Sequence, residues 1–213
     1  MSLPLPAAIG ITLLLAYLLG SLSGSLLLGR VIGVDIRTRG SGNAGGTNAL
    51  RTRGWRFALG VVVIDIGKGV LAALLPLWLL PASELQWPLQ AACGLVAAGG
   101  HVWPVFFGFR GGKGAGTLLG ALLVIWPLAA AGVVGVWLLM LVVSGYVGLA
   151  TVLATSTLIP LALWLPGDPS TARLVVALLA TGFIAMTHRE NLRRLRHGTE
   201  NRFEKVRLFR KRH

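Results

Sequence analysis

The sequence predicts an all-α, polytopic membrane protein with seven transmembrane helices, one of them short. Its N-terminus is predicted outside and its C-terminus in the cytoplasm. Hydrophobic residues make up 54% of the 213 residues and charged residues only 13%, whereas a soluble domain of this length needs more polar surface. The hydrophobic residues also gather into long runs, and the Lys and Arg residues gather between particular runs. These three observations predict the fold class.

The apolar runs give the helices in order. A helix needs about 20 mostly apolar residues to cross the hydrocarbon layer. Six runs approach or meet this length: Ile9–Leu28, Ala58–Leu80, Leu89–Phe107, Trp126–Val143, Tyr146–Leu165 and Leu174–Met186. A shorter run, Thr117–Ile125, is the predicted fourth helix. The first run is expected to remain in the membrane rather than be cleaved as a signal peptide, because the first basic residue, Arg30, follows it.

The basic residues predict the orientation. Of the 20 Lys and Arg residues, six lie in positions 30–56, two in 110–113 and ten in 189–212. The opposite connections, near Glu84, Trp126 and Asp168, carry almost no positive charge. The positive-inside rule therefore places the C-terminus in the cytoplasm and the N-terminus outside, a parity that seven crossings satisfy.

The net charge of +13 could indicate a nucleic-acid-binding protein. The positive-inside bias and attraction to anionic lipid headgroups explain it better, so anionic membrane lipids are the expected partners and nucleic acid is not. We predict a single domain over residues 1–213, with a basic cytoplasmic tail at 188–213. The single cysteine, Cys93, rules out an internal disulfide.

The first of three polar blocks, Gly40–Arg51, alternates small polar residues with glycines. Glycine lets backbone N–H groups approach an anion, and Ser and Asn side chains add neutral donors. Arg51 follows Asn48 by three residues, so the two would share a helical face and could hold a phosphate together. The alternative is an ordinary flexible loop followed by positive-inside charges, an interpretation that carries more weight for Arg37, Arg39, Arg53 and Arg56 than for the glycines.

The second block, Gly100–Thr117, places Gly111, Gly112, Lys113 and Gly114 just before the short helix. Backbone donors and an ammonium at a helix N-terminus favour anions, although the spacing of a nucleotide-binding P-loop is missing. His101 lies near the end of the third helix. A lone His at an interface is often structural, but together with Lys113 it is predicted to contact a ligand.

The third block begins at the end of the last apolar run. His188, Asn191 and Leu195 fall on one helical stripe, which is predicted to continue the last membrane helix. Gly198 is predicted to end this helix, and Glu200 is predicted to pair with a neighbouring Arg. The arginines at 193, 194 and 196 are predicted to face solvent or lipid, with the alternative that one of them joins the site.

Two further polar features lie in the apolar runs. Asp65 and Lys68 are spaced i, i+3 and can pair, and we interpret this pair as structural because charges in a membrane helix need a partner or a cavity. Ser144 lies at the end of the fifth helix. The sequence contains no CxxC, HExxH or acidic pair suited to a metal, no HxxxxD pair and no GxSxG elbow.

The three blocks read GSGNAGGTN, GHVWPVFFGFRGGKG and HRENLRRLRHGTE. In order and spacing they resemble the bacterial acyl-phosphate:glycerol-3-phosphate acyltransferases, small membrane enzymes with seven helices, over essentially the whole chain. The resemblance implies acyl transfer from acyl phosphate to the 1-hydroxyl of glycerol 3-phosphate, giving 1-acylglycerol 3-phosphate and phosphate in phospholipid synthesis. No metal or other cofactor is implied. A bacterial cell membrane, an active site facing the cytoplasm and a functional link to an enzyme that forms acyl phosphate are expected.

The resemblance also implies the site residues. The expected catalytic residues are Ser41, Arg51, His101, Lys113, His188 and Asn191. The expected substrate-binding residues are Gly42, Asn43, Asn48, Gly111, Gly112, Gly114, Ser144 and Glu200. The chain departs from the family pattern at Gly145, where an Arg is expected, and in a lesser way at Gly46.

Two matters stay open at the level of sequence. The proton acceptor is His101, His188 or the phosphate of the donor, and for His101 we favour a binding or polarising role over that of an obligate base. The rival function is a small transporter or channel for a phosphorylated metabolite, disfavoured because the polar blocks share one face and no internal repeat is visible. A lipid-binding scaffold without catalysis is a second rival.

Overall fold

The structure, a computed structural model, describes residues 3–164 and 170–203, and every regular element in them is helical. The eleven α-helices are α1 Leu5–Gly20, α2 Gly24–Val31, α3 Gly46–Arg53, α4 Trp55–Leu79, α5 Gln86–Val102, α6 Ala115–Ile125, α7 Pro127–Ser144, α8 Val147–Ser156, α9 Leu158–Trp164, α10 Ser170–Thr187 and α11 Arg189–Arg196. Two short 3₁₀ turns, Ile36–Thr38 and Val105–Phe107, lie in the connections. The predicted all-α class is confirmed. The predicted connection at Asp168 and the tail beyond Phe203 lie outside the described residues.

Within residues 3–164 and 170–203, four helical segments are long and apolar enough to cross a membrane: Trp55–Leu79, Gln86–Phe107, Pro127–Ser144 and Val147–Trp164. Two bent pairs, α1 with α2 and α10 with α11, raise the number to six if each pair is one span. The helix α6, with 11 residues, is apolar but shorter. The predicted short fourth helix therefore exists, while the total of seven crossings and their orientation stay predictions.

The first apolar run, predicted as one helix over Ile9–Leu28, is broken, and its two parts meet at an angle of 50°. At the break, the hydroxyl of Ser21 donates to the carbonyl of Tyr17 at 2.9 Å. Ser21 and Ser23 are completely buried. Serine side chains that bond nearby backbone groups compete with the helical pattern, and this competition explains a break inside an otherwise apolar run.

The helix that contains the last apolar run ends at Thr187, so the prediction that it continues into the third block was wrong. The helices α10 and α11 meet at 58°, and His188 lies between them with φ −102° and ψ 6°. The His188 Nδ1 lies 2.9 Å from the carbonyl oxygen of Ile184, to which the hydroxyl of Thr187 also donates. These side-chain contacts hold the bend. Gly198, with φ +70°, follows the end of α11 as predicted.

The chain divides into two compact units, Met1–Trp126 and Pro127–His213. In the first unit α4 packs against α1, α2, α3, α5 and α6. In the second unit α8 packs against α7, α10 and α11. The prediction of one domain over the whole chain stays a prediction.

The helices α4 and α6 pack at the closest approach that backbones allow. A Cβ atom added to Gly69 of α4 would collide with the carbonyl oxygen of Thr117, and one added to Gly120 of α6 would collide with that of Ile66. Membrane helices associate through such small residues because lipid supplies no hydrophobic force between helices. The close approach places the first turn of α6, and Lys113 before it, beside the polar residues of α4.

This packing predicts that Gly69→Ala destabilises the protein, whereas Gly67→Ala does not. Both glycines lie in α4, but no atom lies within 4 Å of a Cβ built on Gly67. Overpacking costs about 1–3 kcal/mol, while the gain in helix propensity is common to both variants. Thermal unfolding in detergent should show a lower midpoint for Gly69→Ala alone. Equal midpoints would contradict the packing argument.

Candidate active site

The first polar block is shaped from inside by Asn48. This side chain is 1% exposed, and its Oδ1 accepts the N–H of Ser41 at 2.9 Å. Its Nδ2 donates to the carbonyls of Ile36 and Arg39 at 3.0 and 3.1 Å. Asn48 therefore fixes the loop against the start of α3, and its amide faces backbone groups of that loop.

The other predicted residues of this block lie around the loop. The Ser41 side chain is exposed, and Asn43 is half-buried with its amide against Gly45. Gly42 has φ +73°, and its N–H donates to the carbonyl of Arg39 at 3.1 Å. Arg51 lies on α3, one turn beyond the loop, and is exposed.

The second block folds back on the end of α5. The N–H groups of Gly111 and Gly112 donate to the carbonyls of Val102 and His101, each at 3.0 Å. A Cβ atom on Gly112 would collide with the Nε2 of His101 and would lie 3.0 Å from the carbonyl oxygen of Ala44. Gly112 is thus the point at which the first block, the second block and His101 meet, and a side chain there would fill it.

The turn that follows places a cation at a helix start. Gly114 has φ +83° and precedes α6. Lys113 is half-buried directly before it. The unpaired N–H groups of the first helical turn carry partial positive charge and favour an anion. This geometry agrees with the anion site predicted at Lys113.

Arg37 ties the two blocks together, a role that the sequence did not reveal. Its Nη1 donates to the carbonyls of Phe107 and Arg110 at 3.0 and 2.9 Å. Its Nε and Nη2 bond the carboxylate of Asp35, with Nη2 at 2.7 Å. These hydrogen bonds hold the pKa of Asp35 below its usual value. The Asp-x-Arg spacing was the only sign of this pairing in the sequence.

A buried charged cluster lies beneath the two blocks. The Lys68 Nζ is 3.0 Å from the Asp65 Oδ1 and 2.7 Å from the His101 Nδ1. The His101 Nδ1 also lies 3.3 Å from the Asp65 Oδ1. All three residues are at most 5% exposed. The predicted Asp65–Lys68 pair is confirmed. Its extension to His101 was missed because 33 residues separate Lys68 from His101.

In the second unit, Ser144 ends α7 and organises the turn after it. Its hydroxyl donates to the carbonyl of Met140 at 2.6 Å and accepts the N–H of Tyr146 at 3.1 Å. The Nε of Arg202 donates to the Ser144 carbonyl at 3.0 Å, and its guanidinium lies 4.9 Å from the centre of the Tyr146 ring. Arg202 therefore brings a cation to the turn in which Gly145 replaces the expected Arg. No sequence pattern indicated this contact.

Glu200 organises the rest of the third block. Its side chain is 5% exposed, and its two oxygens accept from the Nδ2 of Asn191 at 2.6 Å and from the Nε of Arg194 at 2.7 Å. The predicted pairing of Glu200 with an arginine is confirmed. Arg194, predicted to face solvent or lipid, is instead half-buried, because the shielded carboxylate draws it inward. The side chain of Asn191 also packs against Gly148 of α8.

His188 is 5% exposed at the bend between α10 and α11. A carbonyl oxygen can only accept, so the 2.9 Å contact of Nδ1 with the Ile184 carbonyl places a proton on Nδ1. In the neutral ring, Nε2 is then the accepting nitrogen. Among the described residues, no group of three or more His, Cys, Asp or Glu side chains is arranged to hold a metal ion.

Known proteins resemble this chain over nearly its full length. A family model described as glycerol-3-phosphate acyltransferase matches residues 10–198. A glycerol-3-phosphate acyltransferase of Trichlorobacter lovleyi is 39% identical over 189 residues, covering 89% of this chain and 94% of that protein. One from Pseudomonas aeruginosa is 42% identical over 193 residues, covering 89% of this chain and 97% of that protein.

Two solved structures share the fold. A crystal structure of PlsY (YgiH), described as an integral membrane glycerol 3-phosphate acyltransferase in its glycerol 3-phosphate form, matches with a TM-score of 0.82 and 34% identity, covering 92% of this chain and 95% of that one. Its lysophosphatidic acid form matches with a TM-score of 0.79 and 35% identity, covering 91% and 94%. On this extent of agreement, the chain is an integral membrane protein that belongs to the glycerol-3-phosphate acyltransferase family.

Proposed function

We propose that this protein transfers a fatty acyl group from acyl phosphate to the 1-hydroxyl of glycerol 3-phosphate. The products are 1-acylglycerol 3-phosphate and inorganic phosphate. The observation that carries this proposal is the meeting of two glycine-rich blocks and His101 at Gly112, next to Lys113 and the start of α6. The glycerol 3-phosphate form of the similar PlsY structure supports the acceptor.

The reaction requires little chemistry from the protein because acyl phosphate, a mixed anhydride, is already activated. The 1-hydroxyl oxygen attacks the acyl carbon, the bond from that carbon to the phosphate oxygen breaks, and phosphate leaves with its electron pair. The hydroxyl proton passes to an acceptor. Holding the two anionic substrates together can lower the barrier by roughly 7–11 kcal/mol.

We assign the residues of the first unit to phosphate neutralisation and to stabilisation of the developing oxyanion. Arg51, Lys113 and the start of α6 supply positive charge, while the side chains of Ser41 and Asn43 and the N–H of Gly114 supply donors. Gly42, Gly111 and Gly112, whose N–H groups already bond carbonyls of the chain, let the backbone approach the substrate. Asn48 keeps the loop in shape. The acyl chain lies along the apolar helices.

For the second unit, we propose that Ser144, His188 and Asn191 contact substrate and that Glu200 positions Asn191. The site faces the cytoplasm of a bacterial cell, since positive charges mark that side. An enzyme that forms acyl phosphate supplies the donor, and the basic tail binds anionic lipids.

The donor is tested with purified protein, glycerol 3-phosphate and either palmitoyl phosphate or palmitoyl-CoA. We expect release of inorganic phosphate from palmitoyl phosphate only when glycerol 3-phosphate is present, with formation of the 1-acyl product. Turnover restricted to palmitoyl-CoA would overturn the donor assignment. Uptake of glycerol 3-phosphate into vesicles without acylation would favour the transporter.

The phosphate contacts are tested by comparing Arg51→Ala with Arg53→Ala. Both arginines are exposed residues of α3, but only Arg51 belongs to the proposed site. A lost charge-assisted hydrogen bond costs about 1.5–3 kcal/mol. We therefore expect kcat/KM to fall by about ten- to a hundred-fold in Arg51→Ala, and similarly in Lys113→Ala. Arg53→Ala should retain activity, and an equal loss in Arg53→Ala would contradict the assignment.

The role of Glu200 is tested against Glu190, which forms an exposed ion pair with Arg193 at 2.8 Å. An exposed pair contributes only about 0–1 kcal/mol, so Glu190→Gln should leave activity and stability nearly unchanged. Glu200→Gln removes a shielded charge that Asn191 and Arg194 share. It should lower kcat/KM at least ten-fold, as measured in the phosphate-release assay. Indistinguishable variants would remove Glu200 from the site.

A further inference from the structure

We infer that Lys68 and Asp65 are positioning residues that hold the proton of the His101 ring on Nε2, so that His101 is a hydrogen-bond donor to substrate and not the proton acceptor. The substrate part of this inference rests on the proposed function, whereas the position of the proton rests on the buried cluster alone.

The number of acceptors around the Lys68 Nζ indicates the charge of this side chain. A lysine ammonium has three N–H donors and no acceptor. Three acceptors surround the Nζ: the Leu22 carbonyl at 3.2 Å, the Asp65 Oδ1 at 3.0 Å and the His101 Nδ1 at 2.7 Å. A side chain that is 3% exposed needs all its donors satisfied. The cluster therefore fits a charged Lys68 that donates to His101.

The contact with Lys68 determines which nitrogen of the His101 imidazole ring carries the proton. Nδ1 accepts from Lys68 only if it carries no proton, and the neutral ring then carries its proton on Nε2. The competing arrangement, Nδ1–H donating to Asp65, uses the longer distance of 3.3 Å and would point a proton towards the ammonium. An imidazolium would place a second positive charge 2.7 Å from the Nζ. The single carboxylate of the cluster, that of Asp65, balances only the charge of the Lys68 ammonium, so the His101 ring is neutral.

The break between α1 and α2 fixes the carboxylate of Asp65. The Asp65 Oδ1 accepts the N–H of Gly24 at 3.1 Å, at the first residue of α2. Leu22, whose carbonyl accepts from Lys68, lies in the same break between α1 and α2. The broken first span thus supplies one donor to Asp65 and one acceptor to Lys68, and it holds both side chains in place.

The direction of the His101 Nε2–H donor follows from the residues that face this edge of the ring. The Nε2 edge of His101 faces Gly112, where the absence of a side chain keeps the ring close to the two glycine-rich blocks. A proton on Nε2 therefore points to the place proposed for the substrate phosphate or the developing oxyanion, where a fixed donor stabilises negative charge. His101 is then not the group that accepts the hydroxyl proton.

Nitrogen-15 NMR of the full-length protein in detergent, with labelled histidine, measures the tautomer directly. The His101 signals are those lost in His101→Gln. Without substrate near neutral pH, we expect a protonated Nε2 and an unprotonated Nδ1. In Lys68→Met we expect the proton to move to Nδ1, where Asp65 accepts it. A native Nδ1–H, an imidazolium, or no change in Lys68→Met would overturn the inference.

The spectrum of the unaltered protein decides the tautomer even if Lys68→Met does not fold. A kinetic comparison then tests the donor role. The amide of His101→Gln still donates a hydrogen bond and should retain at least ten-fold more kcat than His101→Ala, with similar KM values for glycerol 3-phosphate. Equal loss in both variants would contradict donation. Failure of acyl phosphate as a substrate would overturn the proposed function and leave the NMR result intact.

Discussion

The structure of the first unit depends on the need to satisfy two charges inside a membrane helix. Asp65 and Lys68 are buried in α4, and a charge in such a segment is costly unless it is paired and hydrogen-bonded. Breaking a buried pair typically costs about 3–5 kcal/mol. Each polar group that bonds the pair therefore has little freedom to move, and the pair limits the movement of the loops that contact it.

This requirement explains why the first apolar run is broken. A continuous helix would use its backbone groups within itself, and none would remain for Asp65 and Lys68. The break at Ser21–Ser23 exposes the carbonyl of Leu22 and the N–H of Gly24, and both bond the charged pair. His101 is the third hydrogen-bond acceptor around Lys68. Gly112 of the second block lies against the His101 ring and close to Ala44 of the first block, so the position of His101 also constrains both glycine-rich blocks.

The same logic holds in the second unit. Glu200 is shielded from solvent and bonds Asn191 and Arg194 of α11. The exposed pair of Glu190 and Arg193, also on α11, contributes little to stability. Arg202, near the end of the described chain, returns to the carbonyl of Ser144. In the second unit the carboxylate of Glu200 fixes Asn191 directly, and in the first the carboxylate of Asp65 fixes Lys68, which bonds His101.

Local signals were predictable from the sequence. Long apolar runs predicted helices, the i, i+3 spacing predicted the Asp65–Lys68 pair, and Gly198 marked the end of α11. The breaks at Ser21 and His188 were not predicted, because both depend on side-chain hydrogen bonds to nearby carbonyls, which hydropathy does not report. The roles of Arg37, Arg202 and the His101–Lys68 contact depend on residues distant in the chain, which spacing alone does not reveal.

The measurement that tests the central claim most directly is an experimental structure of this chain with glycerol 3-phosphate bound. The account predicts a ligand oxygen within about 3 Å of the His101 Nε2, in front of Gly112, with the Lys113 ammonium beside the phosphate. A ligand bound in that unit away from Gly112, with His101 touching only Lys68 and Asp65, would contradict it and leave the buried cluster a structural support alone.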